Sequence, residues 1–147
     1  RAGSAMATEL GSMRVTNQID ALVTMSVSPV QYLIVPRVLA GLLMCPMLAL
    51  VFFLVGMGGA WFVAVQIYGL DSGIFIERAR WYVDPQDLIQ GFTKSIVFGL
   101  ALTLIACRQG FYASGGAAGV GRATNRAVVQ SAVAILVLDY FVTTFFV

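Results

Sequence analysis

Long uncharged stretches, separated by short charged ones, dominate the pattern of this chain. No formally charged residue occurs from Val38 to Leu70, and two further apolar stretches, Leu88–Cys107 and Ala127–Val147, are interrupted only by Lys94 and Asp139. A hydrocarbon core about 30 Å thick is crossed by about 20 helical residues, so each stretch can span a bilayer. The pattern predicts an all-α polytopic integral membrane protein with three transmembrane helices, at about residues 38–68, 88–107 and 127–147.

Composition supports the membrane assignment and excludes several classes of function. The 147 residues are 59% hydrophobic and 11% charged, with a mean hydropathy of +0.88, whereas soluble domains carry about 25% charged residues. A net charge of +2 without a basic tract argues against nucleic acid as a partner. Histidine, the commonest metal ligand and proton-transfer base, is absent from the sequence. Cys45 and Cys107 lie in apolar stretches, and we expect both to be buried thiols.

The charges between the apolar stretches predict how the helices cross the membrane. Segment 108–126 carries Arg108, Arg122 and Arg126 and no acidic residue, whereas segment 71–87 is rich in acidic residues. Because positively charged loops remain in the cytoplasm, we expect segments 1–37 and 108–126 to face the cytoplasm. The membrane region would then be residues 38–147, with segment 71–87 facing outward.

Glycines between the second and third apolar stretches invite comparison with a phosphate-binding loop. The run Gly115–Gly121 lacks the Lys and Ser/Thr that close such a loop, and an apolar helix precedes it where a strand is needed. We therefore predict a flexible turn, with Thr124 or Asn125 capping the helix that follows.

The segment from Thr8 to Leu22 carries charges too frequently for a membrane span. Its apolar residues follow helical spacing with a phase slip between Met13 and Ile19, and Thr16 is a candidate N-cap. This spacing fits an interfacial helix lying on the membrane, and it fits equally a short helix presented to a cytoplasmic partner.

Charged residues near membrane depth are candidate functional residues, because an ion in hydrocarbon costs several kcal/mol, roughly 2.5–3.5. Asp139 is either a lining residue of a transport path or a polar contact between helices. Lys94 either extends to the headgroups or contacts a lipid headgroup together with Asp87, which lies seven residues earlier on the same helix face. We expect Arg37 to anchor the inner end of the first span.

Several segments carry a resemblance to a known family. They are RAGSAMATELGSMRVTNQIDAL (Arg1–Leu22), VSPVQYLIVPRVLAG (Val27–Gly41), DSGIF (Asp71–Phe75), KSIVFG (Lys94–Gly99), GVGRATNRAVVQS (Gly119–Ser131) and LDYFVTTFF (Leu138–Phe146). With these segments in this order, the chain resembles the MlaE-type permease family of ABC transporters, named for maintenance of lipid asymmetry. The family commonly has Glu at the position of Asn17. Family permeases are longer at the N-terminal side, so the resemblance implies a C-terminal portion.

The resemblance implies a non-catalytic subunit of a phospholipid transporter in a Gram-negative bacterial inner membrane. A coupling helix within Glu9–Leu22 would dock on a separate cytoplasmic ABC ATPase, which would bind the ATP and Mg, and this chain would bind no cofactor. The residues expected to take part in this coupling are Glu9, Arg14, Gln18, Asp20 and Leu22. Further implied partners are a periplasmic MCE-domain lipid-binding ring, a STAS-domain protein, phospholipid and a second copy of the chain.

Small residues on the first span form a stripe that favours close helix packing, either within the chain or between two copies. The stripe contains Gly41, Cys45, Ala49, Gly56, Gly59 and Ala60. Because family permeases are dimers with a lipid cavity between the copies, neighbouring apolar side chains are expected to contact acyl chains, which need no fixed polar geometry. These side chains are Phe52, Phe53, Leu54 and Met57. They complete the candidate lipid path with Asp87, Lys94 and Asp139.

Two other classes of function have weaker support in the sequence. A membrane enzyme acting on lipids needs a metal site or a nucleophile with its base, and Asp84 and Asp87 have no histidine or third acid close by in the sequence. An ion-coupled secondary transporter using Asp139 is the alternative function. It requires inverted repeats, and the three apolar stretches show no internal similarity.

Overall fold

A computed structural model describes residues 1–146 of the chain. Its α-helices are α1 (Ala2–Val15), α2 (Gln18–Thr24), α3 (Val35–Phe62), α4 (Ser72–Tyr82), α5 (Pro85–Phe111) and α6 (Gly116–Phe146). Two π-helical turns, Val30–Ile34 and Val63–Ile67, extend α3 at its start and at its end. No strand occurs among residues 1–146, and the all-α prediction is confirmed.

Three helical segments are long and apolar enough to cross a membrane, namely Val30–Ile67, α5 and α6. Large apolar side chains stand on their outer surfaces, as with Phe52 and Leu136, which are 79% and 73% exposed. Water does not tolerate so much contiguous apolar surface, whereas lipid does, so the prediction of a polytopic membrane protein is confirmed. The predicted spans fall on these segments, although each helix begins before its predicted span, and Val147 lies outside the described residues.

The glycine-rich segment 108–126 is mostly helical, and the predicted turn does not extend over the whole run Gly115–Gly121. α5 continues to Phe111 and α6 begins at Gly116, which leaves only residues 112–115 between them. Thr124 and Asn125 lie inside α6, where the Thr124 hydroxyl donates to the Val120 carbonyl. Packing overrides the low helix propensity of glycine here, because Gly119, Val120 and Ala123 are buried.

The first two helices meet at a sharp break. Thr16 is not the predicted N-cap, because it ends α1 and its hydroxyl donates to the Ser12 carbonyl. Asn17 precedes α2 with φ 59°, a left-handed conformation that asparagine tolerates better than most residues. The phase slip in the apolar pattern between Met13 and Ile19 therefore marks a change of helix direction.

α1 packs along α5 and α6, so the start of the predicted docking segment belongs to the bundle. Ala7, Ala106 and Ala127 form a small buried cluster at the centre of this contact. Gly110 lies so close to α1 that a Cβ there would approach the Ala7 carbonyl oxygen to 2.7 Å. Small side chains allow the backbones to approach, and dispersion contacts then hold the helices together.

α3 and α6 both run antiparallel to α5 and pack against it. Gly41 of α3 meets Thr103 of α5, and Gly99 of α5 meets Cys45 and the Gly41 carbonyl oxygen. This arrangement gives the bundle two ends. We call them the α2 end, where α2, the start of α3 and the α5–α6 turn lie, and the α4 end, where α3 finishes and α5 begins.

The polar segment 71–87 is also helical over most of its length. The Asp71 carboxylate accepts a hydrogen bond from the Gly73 N–H at 2.7 Å and caps α4. Asp84-Pro85 begins α5, with Asp84 as the N-cap and Pro85 in the first turn, where its missing N–H costs no hydrogen bond. α4 contacts the π-helical turn at Val63–Ile67. It connects the end of this turn to the start of α5.

Candidate functional site

The predicted coupling residues lie at the α2 end, on both sides of the break between α1 and α2. Arg14 Nη1 donates to Asp20 Oδ1 at 2.6 Å, and both side chains are partly exposed, so this ion pair holds α2 against the end of α1. Gln18 and Asp20 stand on the outer surface of α2. Leu22 faces inward and packs on a buried cluster that contains Leu10 and Ile19.

Glu9 has a different role in the structure from the other coupling candidates. Its Oε1 lies 3.0 Å from Nη2 of Arg37, and this ion pair joins α1 to the start of α3. Arg37 Nη1 also donates to the Leu33 carbonyl in the adjoining π-helical turn at 3.0 Å. The Arg37 side chain is only 18% exposed, so it makes an inter-helix contact, and its predicted role as an anchor at the inner end of the first span stays a prediction.

Three further arginines gather at the same end. Arg122 and Arg126 stand one turn apart on the exposed face of α6, and Arg108 is exposed near the end of α5. Within residues 1–146 none of the three forms an ion pair, because Glu9 and Asp20, the acids at this end, pair with Arg37 and Arg14. The α2 end therefore carries excess positive charge.

Two of the predicted lipid-path residues meet in the half of the bundle nearer α4. Lys94 Nζ of α5 lies 2.8 Å from Asp139 Oδ1 of α6, with the two side chains 23% and 50% exposed. Each charge supplies the counter-ion of the other, which lowers the cost of holding both at membrane depth. The exposure of Asp139 leaves part of its carboxylate free to contact a ligand.

Asp87 does not share this arrangement. One of its carboxylate oxygens accepts a hydrogen bond from the Asp84 N–H at 3.3 Å, as in a capping box at the start of α5. Lys94 pairs with Asp139 instead, and the contact of Lys94 and Asp87 with one lipid headgroup stays a prediction. Helical spacing placed the two residues on one face, but local capping and a contact from another helix decided their partners.

An apolar groove runs between α3, α4 and the start of α5, and we call it the α3–α4 groove. It consists of two adjoining cavities of about 470 and 300 Å³ that share Val83. Met57 and Trp61 of α3 face Phe75, Ala79 and Arg80 of α4 in the larger cavity. The smaller cavity is lined by residues that include Phe53, Asp87 and Phe92.

The four apolar lipid-path candidates on α3 therefore separate into two sets. Phe53 and Met57, one turn apart, line the α3–α4 groove. Phe52 and Leu54 point outward, with exposures of 79% and 70%. Only Phe53 and Met57 share a cavity wall with other elements of the chain.

The small-residue stripe on α3 also separates into two parts. Gly41 and Cys45 pack on α5, which confirms the intramolecular alternative for that half. Gly56 and Gly59 have no neighbouring atom within 4 Å of an added Cβ among the described residues. The outer half of the stripe thus remains open on the surface of the chain.

Sequence reasoning did not identify Arg80, Trp61 and Phe75 as residues of a common cavity, nor Glu9 and Arg37 as a pair. A helical wheel of α4 would have placed Phe75, Ala79 and Val83 on one face, but their partner on α3 follows only from tertiary packing. No cluster of His, Cys, Asp or Glu within residues 1–146 has the composition of a metal site. Both cysteines are free thiols, with Cys107 buried and Cys45 partly buried.

Comparison with known proteins gives this arrangement a context. A probable ABC transporter permease protein of Rickettsia prowazekii is 40% identical over 146 residues, which cover 99% of this chain and 56% of the relative. The protein TRIGALACTOSYLDIACYLGLYCEROL 1, chloroplastic, of Arabidopsis thaliana is 40% identical over 146 residues, 99% of this chain and 42% of that protein. The intermembrane phospholipid transport system permease protein MlaE of Haemophilus influenzae is 36% identical over 144 residues, 97% of this chain and 55% of that protein.

The chain thus spans about half the length of the curated relatives it matches. The family model described as Permease MlaE matches residues 1–145, which is nearly the whole chain and includes every helix described above except the last residue of α6. On this match, the protein belongs to the MlaE permease family of ABC transporters.

Proposed function

We propose that the chain is part of the permease subunit of an ABC-type phospholipid transporter, which moves lipids between the bacterial inner membrane and a periplasmic lipid-binding partner. The observation that carries the proposal is the family match over residues 1–145, together with a relative whose name states intermembrane phospholipid transport. The exposed apolar helices and the α3–α4 groove support it, because acyl chains are held by apolar area rather than by fixed polar contacts.

The charge distribution supports one orientation in the membrane. The α2 end carries Arg14, Arg37, Arg108, Arg122 and Arg126 against Glu9 and Asp20. Because Lys and Arg are retained on the cytoplasmic side, the α2 end faces the cytoplasm and the α4 end faces the periplasm. The Gram-negative inner membrane is part of this proposal.

The exposed surface of α2 is the docking site for a separate ATPase, which binds the ATP and Mg. Gln18 and Asp20 stand outward there, while Val23 and Met25 add exposed apolar area, with exposures of 57% and 72%. Such a mixed surface suits a protein interface with an apolar centre and a polar rim. Leu22 and the Arg14–Asp20 pair fix α2 on the bundle, so a push on α2 moves α1 and the helices packed on it.

Along the lipid path, Lys94 and Asp139 contact a lipid headgroup. The Lys94 ammonium matches a phosphate, and the Asp139 carboxylate matches the amine of a zwitterionic lipid. The chain itself is non-catalytic, and it works with a second copy of itself, a periplasmic MCE-domain ring and a STAS-domain protein.

ATP dependence of lipid transfer tests the proposal. The full-length permease would be reconstituted with its ATPase and lipid-binding partner, and transfer of a labelled phospholipid between vesicles and partner would be followed. Transfer that stops when the ATPase is inactivated supports the proposal. Transfer that persists without ATP hydrolysis and follows an imposed proton gradient would contradict it and favour an ion-coupled transporter that uses Asp139.

A further inference from the structure

The α3–α4 groove contains a cation that the described part of the chain does not neutralise. Arg80 lines the larger cavity beside Phe75 and Ala79, yet within residues 1–146 it forms no ion pair. Asp87, the acid that lines the adjoining cavity, accepts a hydrogen bond from the backbone of Asp84. A guanidinium at the edge of an apolar groove favours an anion with an apolar body attached.

The position of α4 explains why the groove is open. α4 contacts the π-helical turn at Val63–Ile67. Its residues Phe75, Ile76 and Ala79 face α3 across the larger cavity. Gly58 lines the wall on the α3 side, and a Cβ added there would meet no atom within 4 Å. Because Gly58 has no side chain, the cavity is wider at this point beside α3.

The shape and lining of the groove favour a lipid chain over a compact ligand. The two cavities share Val83 and together extend along α3 from the level of Trp61 to that of Ala49. Their walls are mainly aliphatic and aromatic, and the larger cavity has a volume in the range of small-molecule sites, about 300–1,000 Å³. Trp61 in the groove and the exposed Trp81 on α4 are residues typical of the membrane interface.

We propose that the α3–α4 groove binds one acyl chain of an anionic phospholipid from the surrounding bilayer, with the lipid phosphate on Arg80. This site is separate from the Lys94–Asp139 pair and rests on the proposed function only in taking a phospholipid as the ligand. The phosphate neutralises the guanidinium through paired N–H···O contacts, and the acyl chain covers Met57, Phe75 and Ala79.

The neighbouring arginine provides a matched control. Arg78 lies on the same helix but lines a different surface with Glu77 and Trp81, away from the α3–α4 groove. Arg78→Gln and Arg80→Gln change the net charge of α4 equally, and neither residue caps the helix. A difference between the two variants therefore reports the position of the charge and not its amount.

The experiment places the full-length permease in lipid nanodiscs that contain phosphatidylglycerol with a photoreactive diazirine in the part of one acyl chain close to the headgroup, because Arg80, Met57 and Ala79 line the same cavity. After illumination without nucleotide, labelled peptides are quantified by mass spectrometry. We expect labelling at Met57 and Ala79 to exceed that at Leu39 and Leu43, exposed residues of α3 that lie outside the groove lining and nearer the α2 end. Arg80→Gln should lower the groove labelling at least threefold, whereas Arg78→Gln should leave it unchanged.

A second variant tests the groove without changing charge. Ala79→Trp fills the cavity and should abolish labelling at Met57, and an unchanged melting temperature would establish that the variant folds. Labelling that is equal along all of α3, or unaffected by Arg80→Gln, would overturn the inference. The same holds if the groove is labelled in the isolated permease but not in the assembled transporter, because a partner protein would then cover it.

The outcome is independent of the transport proposal. Labelling is measured without ATP and without a lipid acceptor, so loss of ATP-driven transfer would not alter it. Groove labelling that depends on Arg80 in a protein that transfers no lipid would support the binding site and contradict the proposed function. Normal ATP-driven transfer without labelling of the groove would support the proposed function and contradict the binding site.

Discussion

The Lys94 ammonium lies 2.8 Å from the Asp139 carboxylate and ties α5 to α6 in the half of the bundle nearer α4. The lysine is the more buried partner, with 23% of its side chain exposed, against 50% for the aspartate. Removing the aspartate would leave a mostly buried cation without a counter-ion, whereas removing the lysine would leave a carboxylate that is half solvated. The two single substitutions should therefore differ in cost.

We expect Asp139→Asn to lower the free energy of unfolding by about 1–3 kcal/mol, between the values typical of exposed and of buried ion pairs. Lys94→Met should cost less, because the remaining carboxylate is more exposed and the new side chain is apolar. Denaturant titration of the full-length permease in micelles would measure both. The double variant Lys94→Asp with Asp139→Lys should recover part of the stability, and an exchange that is as unstable as Asp139→Asn would contradict the pairing.

The same substitutions separate a structural pair from a headgroup site. If the pair only joins α5 to α6, the charge exchange should restore lipid transfer along with stability. If Lys94 binds the phosphate from its position on α5, the exchange should restore stability but leave transfer low. Transfer by Lys94→Ala at the wild-type rate would show that the lysine does not contact the headgroup during transport.

Asp20→Lys should impair the interaction with the ATPase while leaving the bundle folded. The Arg14–Asp20 pair is exposed on both sides, so its loss should cost only about 0.2–1 kcal/mol. We expect weaker co-purification of the ATPase, or ATP hydrolysis that no longer drives lipid transfer. Both can be measured on the detergent-purified complex and on proteoliposomes.

An exchange variant distinguishes the position of α2 from its surface charge. Arg14→Asp with Asp20→Arg keeps the contact between α1 and α2 but reverses the charge that α2 presents. Recovery of coupling in this variant would mean that the pair positions α2, and continued failure would mean that the ATPase contacts Asp20 itself. Normal assembly and coupling by Asp20→Lys would contradict the docking assignment.

Two glycines of α5, Gly99 and Gly91, differ in how closely another helix approaches them, and alanine substitutions should therefore have opposite effects. A Cβ at Gly99 would lie 2.8 Å from the Gly41 carbonyl oxygen of α3, whereas a Cβ at Gly91 would meet no atom within 4 Å. Gly99→Ala should therefore destabilise the protein by about 1–3 kcal/mol through overpacking. Gly91→Ala should stabilise it by up to about 1 kcal/mol, because alanine has the higher helix propensity.

Thermal unfolding in detergent would rank the two variants against the wild type. Equal effects would mean that helix propensity alone decides both positions and that α3 does not approach α5 at Gly99. The result bears on function because Gly41, Cys45 and Gly99 hold α3 on α5, while the part of α3 from Ala49 to Trp61 lines the groove. Stability changes at Gly99 thus report on the contact that positions the groove.

The sequence was sufficient to predict the elements with a strong local signal. The uncharged apolar stretches identified the three long helices. It failed where tertiary packing overrides local preference, as at Gly119, which is helical because it is buried under the Ser114 backbone. The sequence also could not predict the ion-pair partner of Lys94. Lys94 meets Asp139 because of how α5 and α6 are rotated about their axes.

Neighbouring phenylalanines on α3 test which face of the helix contacts the transported lipid. Phe53 lines the α3–α4 groove with 36% exposure, and Phe52 points outward with 79% exposure. If lipid tails pass along the groove, Phe53→Ala should lower ATP-driven transfer severalfold, while Phe52→Ala should leave it near the wild-type rate.

The two alanine variants remove the same atoms from adjacent positions, so unequal rates would report geometry rather than lost apolar volume. Phe53 is the less exposed residue, and its truncation should also cost more stability. Transfer rates must therefore be compared at equal amounts of folded permease, measured by gel filtration. Loss of transfer in Phe52→Ala with a normal rate in Phe53→Ala would instead place the lipid on the outward face of α3, where a second copy of the chain could complete the path.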